Sequence, residues 1–327
     1  MNAFEWADAK TVDDLHALNV KGAAIKAGGV DLVDLLKEGV ARPSRLVNIR
    51  NIAGLDQIKE DSSGLKIGPL VTLAALAENP IVRDKYTALA QAAGHIATPQ
   101  IRNMATVGGN LLQRPRCWYF RNEMFNCRKK GGEKCYAQEG ENQYHSIFNN
   151  GLCAIVHPSG CATALVALGA KIELSGPKDK REVLLEEFIV PPMVNLHGEN
   201  NLAPDELLTE IRIPAPAPGT KSFYIKHGEL ASHDWPLAET AAVLEMDGTT
   251  CKKASIVLGS AAPTPRRATE AENAIKGKAI DDALALKAAQ AALRTASPMS
   301  QNAYKLSIFE AIITRTILAA SGKASVA

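Results

Sequence analysis

AAIKAGGVDLVDLLKEG, residues 23–39, is the stretch whose reading decides the fold. A small-residue strand, AAIK (23–26), runs straight into AGG (27–29), and the following VDLVDLLKEG reads as a helix ending at Gly39. Strand, glycine turn and helix together make a cradle for an anion. Glycine lets the backbone come close, and the first N–H groups of a helix point outward without partners. The signal is weak alone, because glycine pairs also mark plain turns and neither GxGxxG nor GxxxxGK occurs anywhere in the chain. A second glycine pair in HIATPQIRNMATVGGNLL (95–112), read as a polar loop, raises the odds of a bound dinucleotide.

Working outward, Thr11 and Asp14 form a capping-box pattern for a helix over 12–18. RLVNI (45–49) reads as a strand, and Asp61–Gly64 turns a hairpin between IKE and LKIG. Thr72 caps a helix through 78, and a second helix covers 81–94. His157-Pro158-Ser159 turns into a helix over 160–168, followed by the strands KIEL and DELLTEIRI (205–213). PAPAPG (214–219) is the clearest linker, since alternating proline holds an extended path. Beyond it, strand KSFYIKH (221–227) precedes two strands around Asp247-Gly248, a hairpin signal. Helices finish the chain, and in the last Leu306, Phe309, Ile313 and Ile317 mark one buried face. The C-terminal part is expected to be a three-stranded sheet under helices.

Composition narrows the function classes. The 327 residues suffice for two cores, and a net charge of +2 gives no electrostatic footprint for nucleic acid. No apolar run reaches the ~18–20 residues that span a bilayer. MNAFEWADAK has neither the basic nor the apolar region of a signal peptide, so a cytoplasmic protein with reduced thiols is expected.

One segment does not read as ordinary scaffold. QRPRCWYFRNEMFNCRKKGGEKCYAQEGENQYHSIFNNGLC (113–153) holds four of the six cysteines, Cys117, Cys127, Cys135 and Cys153, and too few aliphatic residues to pack a core. Their spacing contains no CxxC pair of structural zinc sites and no CxxCxxC run of ferredoxins. From spacing alone a metal or cluster, buried free thiols, and disulfide or redox thiols all stay open. His145 and His157 are nearby candidate ligands, with surface or hydrogen-bonded histidine as the plainer reading. Arg114, Arg116, Arg121, Arg128, Lys129 and Lys130 read as a solvated face, or as charge that offsets thiolates or guides an acidic partner. Cys161 and Cys251 read as packed structural residues, and no residue is a credible nucleophile or general base.

AIKAGGVDLVDLLK (24–37), IATPQIRNMATVGGNLL (96–112), HPS (157–159) and LGSAAPTPRRATEAE (258–272) together resemble the FAD-binding medium subunit of the molybdenum hydroxylases. That family includes xanthine dehydrogenase, aldehyde oxidoreductase and carbon monoxide dehydrogenase. The cysteine insert is similar to the branch with an extra [4Fe–4S] cluster, as in aldehyde oxidoreductase and 4-hydroxybenzoyl-CoA reductase. The resemblance implies α/β and α+β architecture: a two-lobed FAD domain of the vanillyl-alcohol-oxidase type over 1–213, carrying the insertion at 114–153, and after the linker a carbon-monoxide-dehydrogenase-flavoprotein-like domain over 220–327.

By the same resemblance, Lys26, Ala27, Gly28, Gly29, Val30, Asp31, Leu32 and Val33, with Thr106, Gly108, Gly109 and Asn110, hold the FAD pyrophosphate. Ile96 and Ala97 line the flavin edge, Gln113 reaches the cofactor, and Leu208 and Lys226 contact the isoalloxazine. Cys117, Cys127, Cys135 and Cys153 are the implied cluster ligands. Val30 replaces a common threonine, Gly160 a frequent aspartate, and Leu230 a usual arginine. The implied role is electron transfer beside a molybdopterin-binding large subunit and a [2Fe–2S] small subunit, with ferredoxin as a possible acceptor, during oxidation of an aldehyde or N-heterocycle. The same role in an aromatic acyl-CoA reductase and a zinc-stapled, non-redox interaction subunit are the alternatives. Periplasmic placement would need co-export with a partner subunit.

Overall fold

A computed structural model describes residues 1–230 and 233–323. The deciding stretch folds as read. Strand Ala23–Lys26 and helix Val30–Lys37 lead into strand Arg45–Asn48, and Glu5–Asp8 pairs on the far side. All pairings in this three-stranded sheet are parallel, with Ile25 beside Val47 and Ala7 beside Val47. Thr11 and Asp14 close the capping box of helix Val12–Leu18.

A five-stranded antiparallel sheet follows, in the order Ile58–Asp61, Gly64–Ile67, Leu207–Pro214, Lys171–Ser175, Lys180–Leu184. Helices Leu73–Glu78, Thr87–Gly94 and Gly160–Ala167 contribute to its main core, where Leu73, Leu89, Leu165 and Ile211 are fully buried. The third sheet pairs Thr220–His227, Ala238–Asp247 and Thr250–Gly259 antiparallel. It carries one strand more than expected, the two-residue edge Arg266–Arg267. Asp247 and Gly248 turn the predicted hairpin, and Phe309, Ile313 and Ile317 bury the apolar face of helix Lys305–Ser321. Tyr224, Ala241 and Val257 of the third sheet join the main core, so the chain after PAPAPG packs directly on the chain before it.

Two expectations change. The helix expected over 81–94 is two helices, Pro80–Lys85 and Thr87–Gly94, broken at Tyr86. Ser222 Oγ accepts from Ala88 N at 3.1 Å, so a contact 134 residues away in sequence helps begin the second helix. The loop 95–112 contains two short helices, Pro99–Arg102 and Val107–Leu111, whose free N–H groups are capped by Thr98 and Thr106. No helix among the described residues is long and apolar enough to cross a membrane.

Candidate functional site: a two-lobed cleft beside a four-thiol cavity

The parallel sheet and the antiparallel sheet face each other across a cleft of about 750 Å³, towards the upper end of the ~300–1,000 Å³ of typical cofactor sites. Of the residues expected to hold the cofactor, Lys26, Ala27, Gly28, Gly29, Val30, Asp31, Leu32, Ile96, Ala97, Thr106, Gly108, Gly109, Asn110, Gln113 and Leu208 all line it. Val33 and Lys226 do not. Val33 is the first residue whose N–H is taken up inside the helix, by Gly29 O. Lys226 turns its ammonium to His95 O at 3.0 Å, and burial lowers its pKa.

The two glycine pairs do different work. Among the described residues, the backbone N–H groups of 28–32 donate to no protein acceptor, and Gly29, at φ +82°, begins the helix without a side-chain cap. Five consecutive free donors at the N-terminus of an eight-residue helix form an anion nest. A Cβ on Gly28 would lie 2.1 Å from Met104 O, so only glycine allows the two loops to meet. At the second pair the donors are already used. Val107 N bonds to Val71 O, Gly108 N to Pro69 O, and Gly109 N to Thr106 Oγ1. Gly108 is required by packing, since its Cβ would meet Pro69 Cβ at 2.7 Å. The first loop thus offers free donors to an anion, while the second shapes the floor of the cleft.

The rest of the cleft is largely apolar, as a flat aromatic ring system requires. Ala97 adopts φ +47°, uncommon for a residue with a Cβ, and Arg102 Nη1 holds this turn by donating to Ile96 O and Ala97 O. The sequence reading missed Leu73, Pro204, Arg116 and Trp235, which also line the cleft. Arg116 stacks on the Trp235 ring at 4.4 Å. Gly160 lies outside the cleft, and a Cβ there would sit 3.0 Å from both Glu239 Oε1 and Tyr224 OH. Leu230 is largely exposed.

The insertion folds against the same helix. Asp31 accepts from Arg116 at 2.8 Å, from Arg121 at 2.6 Å and from the Arg114 backbone at 2.9 Å. Lys129 pairs with Glu199, and Arg128 and Lys130 donate to backbone carbonyls of Leu152, Glu133 and Asn122. The solvated-face reading of these six basic residues is therefore corrected: the charges are used as internal staples, and that of Lys129 also favours the Cys153 thiolate. They stand in for the missing aliphatic core, together with edge-to-face rings of Tyr119, Phe125 and Tyr136.

Cys117, Cys127, Cys135 and Cys153 face one small cavity, closed by Phe120, Ala137, Ala154 and Ile155. No disulfide joins them. Among the described residues, no three of these or other ligating side chains are gathered tightly enough for a single ion. Burial pushes the Cys117 thiol up to about 12. The contact with Cys153 holds Cys135 down at about 6, while the same contact and burial push Cys153 far up. The backbone N–H groups of Ala154, Ala137 and Gln138 near the Cys135 sulfur lower its pKa further, an arrangement that favours bound thiolate. Of the two histidines, His145 Nε2 lies 3.2 Å from Cys117 Sγ, and burial lowers its pKa to about 4. His157 is fully buried away from the cavity, and Cys161 and Cys251 are buried elsewhere in the fold. Four thiols line one small void, and the cleft with its N–H nest suits a dinucleotide.

Residues 2–216 match the family described as the FAD binding domain in molybdopterin dehydrogenase, and residues 223–320 match the carbon monoxide dehydrogenase flavoprotein C-terminal domain. The chain is 34% identical over 332 residues to the aldehyde oxidoreductase FAD-binding subunit PaoB of Escherichia coli, covering 99% of this chain and 100% of that one. It is 29% identical to the carbon monoxide dehydrogenase medium chain of Hydrogenophaga pseudoflava, covering 90% and 88%. A solved structure of carbon monoxide dehydrogenase from the same organism superposes with a TM-score of 0.77 at 28% identity, over 99% of both chains.

Proposed function

The chain belongs to the family of FAD-binding medium subunits of molybdenum hydroxylases, of the carbon monoxide dehydrogenase and aldehyde oxidoreductase type, and on that premise we propose how its two sites work together. It is an oxidoreductase subunit. In our reading FAD lies in the cleft, with its pyrophosphate on the N–H nest of 28–32 and its ring system against Ile96, Ala97, Leu208 and Trp235. A [4Fe–4S] cluster is held by Cys117, Cys127, Cys135 and Cys153. The observation that carries this reading is the convergence of those four sulfurs on one cavity next to the cleft.

When bound, FAD stores two electrons delivered singly, and the cluster passes electrons one at a time. The chain's own residues bind and shield the two centres. Arg116 links them, since it lines the cleft, pairs with Asp31 of the nest helix and immediately precedes Cys117. Residues 1–213 form the flavin unit and 220–327 the closing domain, joined by 214–219. The partners in this reading are a molybdopterin-binding large subunit, where substrate is oxidised, and a [2Fe–2S] small subunit. Full-length similarity to an aldehyde oxidoreductase subunit favours an aldehyde as the substrate of the assembly.

Purified complex tests the reading directly. The expected result is a flavin spectrum released by acid as FAD, and four iron and four sulfide per chain beyond those of the small subunit. Flavin without that extra iron would overturn the cluster, and protein without flavin would overturn the whole assignment.

A further inference from the structure

His145 lies within the cysteine insertion but is not one of the four thiols, and it is held with unusual completeness for a residue outside any helix or strand. Its ring is buried, with Nε2 3.2 Å from Cys117 Sγ and the Trp118 ring edge-on at 5.4 Å. Its backbone oxygen accepts from Lys305 Nζ at 3.1 Å and from Asn302 Nδ2 at 3.0 Å, and its N–H reaches Asn142 O at 3.0 Å. Lys305 is itself wholly buried, with its ammonium also on Ser260 O at 2.6 Å. Burial lowers the Lys305 pKa to about 7, and in either protonation state its nitrogen can donate to both backbone carbonyls. What it holds is the segment that carries His145 to the cysteine cavity.

The tautomer follows from the partners. His145 Nδ1 is buried and has none. A proton placed there would leave an N–H donor unsatisfied and would force the thiol to donate to Nε2. Placed on Nε2, the proton is used, and the Cys117 sulfur accepts it. The sulfur of a thiol accepts only weakly and a metal-bound thiolate accepts strongly, so this hydrogen bond gains most when Cys117 binds metal.

We propose that His145 is a tuning residue of the redox centre: its Nε2–H donates to the metal-bound Cys117 sulfur and raises the reduction potential, while Lys305 and Asn302 position it. The inference rests on the cluster assignment above. Its direction comes from charge. Reduction adds one electron to the cluster and makes its sulfurs more negative, so a donor fixed on one sulfur stabilises the reduced state more than the oxidised state. The C-terminal helix thereby acts on the cluster through a hydrogen bond made 160 residues away in sequence.

The test uses the intact complex labelled with ¹⁵N-histidine. Pulsed EPR of the reduced cluster should show weak coupling to one histidine nitrogen, and its absence overturns the proposal without any variant. In redox titrations His145→Phe should lower the potential by an amount equal to about tenfold in the reduction equilibrium, ~59 mV for one electron. His145→Gln, which keeps an N–H, should recover part of that shift. Lys305→Met should move the potential in the same direction and add nothing when combined with His145→Phe. An unchanged potential in iron-replete His145→Phe overturns the proposal and leaves the cluster assignment standing. A wild-type complex without the four iron per chain beyond those of the small subunit would instead defeat the cluster assignment itself.

Discussion

Lys129 Nζ and Glu199 Oε1 meet at 2.7 Å with side-chain exposures of only 1% and 4%. Lys129 belongs to the cysteine insertion and Glu199 to the loop that precedes strand Leu207–Pro214, so this buried pair fastens the insertion to the flavin lobe. Arg114 approaches the other oxygen of Glu199 at 2.6 Å, and Lys129 also donates to Leu196 O and Gly198 O. Removing one member of a buried pair strands the other charge, at a cost of about 3–5 kcal/mol. Glu199→Ala should therefore lower unfolding stability by that order in denaturant titration, and hydrogen exchange should rise across 114–135 before the rest of the chain. Exchange that rises uniformly would argue against a local fastening role.

Gly28 supplies a second prediction. An alanine Cβ at that position would lie 2.1 Å from the Met104 carbonyl oxygen, so the nest loop must move away from the floor of the cleft. Displacement that costs at least ~1.4 kcal/mol of binding weakens FAD tenfold or more. The flavin-to-protein absorbance ratio of purified Gly28→Ala should fall accordingly. Gly151→Ala, where a Cβ meets nothing within 4 Å, should keep its flavin.

The cysteines separate by position. If these thiols hold the proposed cluster, Cys135→Ser should abolish its signal and its iron, because Cys135 faces the shared cavity. Cys161→Ser should leave iron unchanged, because that thiol is buried in helix Gly160–Ala167. Iron and sulfide analysis of the two variants checks both outcomes.

Stability should depend on pH through buried groups that act in opposite directions, with His157 and Glu239 as the opposing pair. Burial lowers the His157 pKa from 6.5 to about 3. Below pH 6.5 the unfolded chain takes up a proton that the folded chain refuses, so this group withdraws about 1.4 kcal/mol per pH unit as acid is added. Burial raises Glu239 from 4.5 to about 7, so between those values the folded chain holds the extra proton and stability falls as pH rises. The two slopes oppose each other between pH 4.5 and 6.5. Urea unfolding of His157→Gln over that range should show a slope of stability against pH lower than that of the wild type by about 1.4 kcal/mol per pH unit. Parallel pH profiles for the two proteins would refute the assignment to His157.

The amino-acid sequence by itself determined what neighbouring residues can settle. The capping box of Thr11 and Asp14, the hairpin turns at Asp61–Gly64 and Asp247-Gly248, and the strand–glycine–helix turn at 23–37 all fold as read, because each is closed by contacts within a few residues. Grouping of four cysteines in one aliphatic-poor segment was legible for the same reason. Tertiary structure decided that Gly108, unlike the first glycine pair, has no free donor, since Pro69 O takes its N–H while Thr106 Oγ1 takes that of Gly109. It likewise turned Lys226 away from the cleft, brought Trp235 into it, and matched Arg116 and Arg121 to Asp31 across more than eighty residues. No local pattern encodes such pairings. A backbone donor or a charged side chain takes whichever partner packing brings within reach, and burial then makes leaving it unpaired too costly.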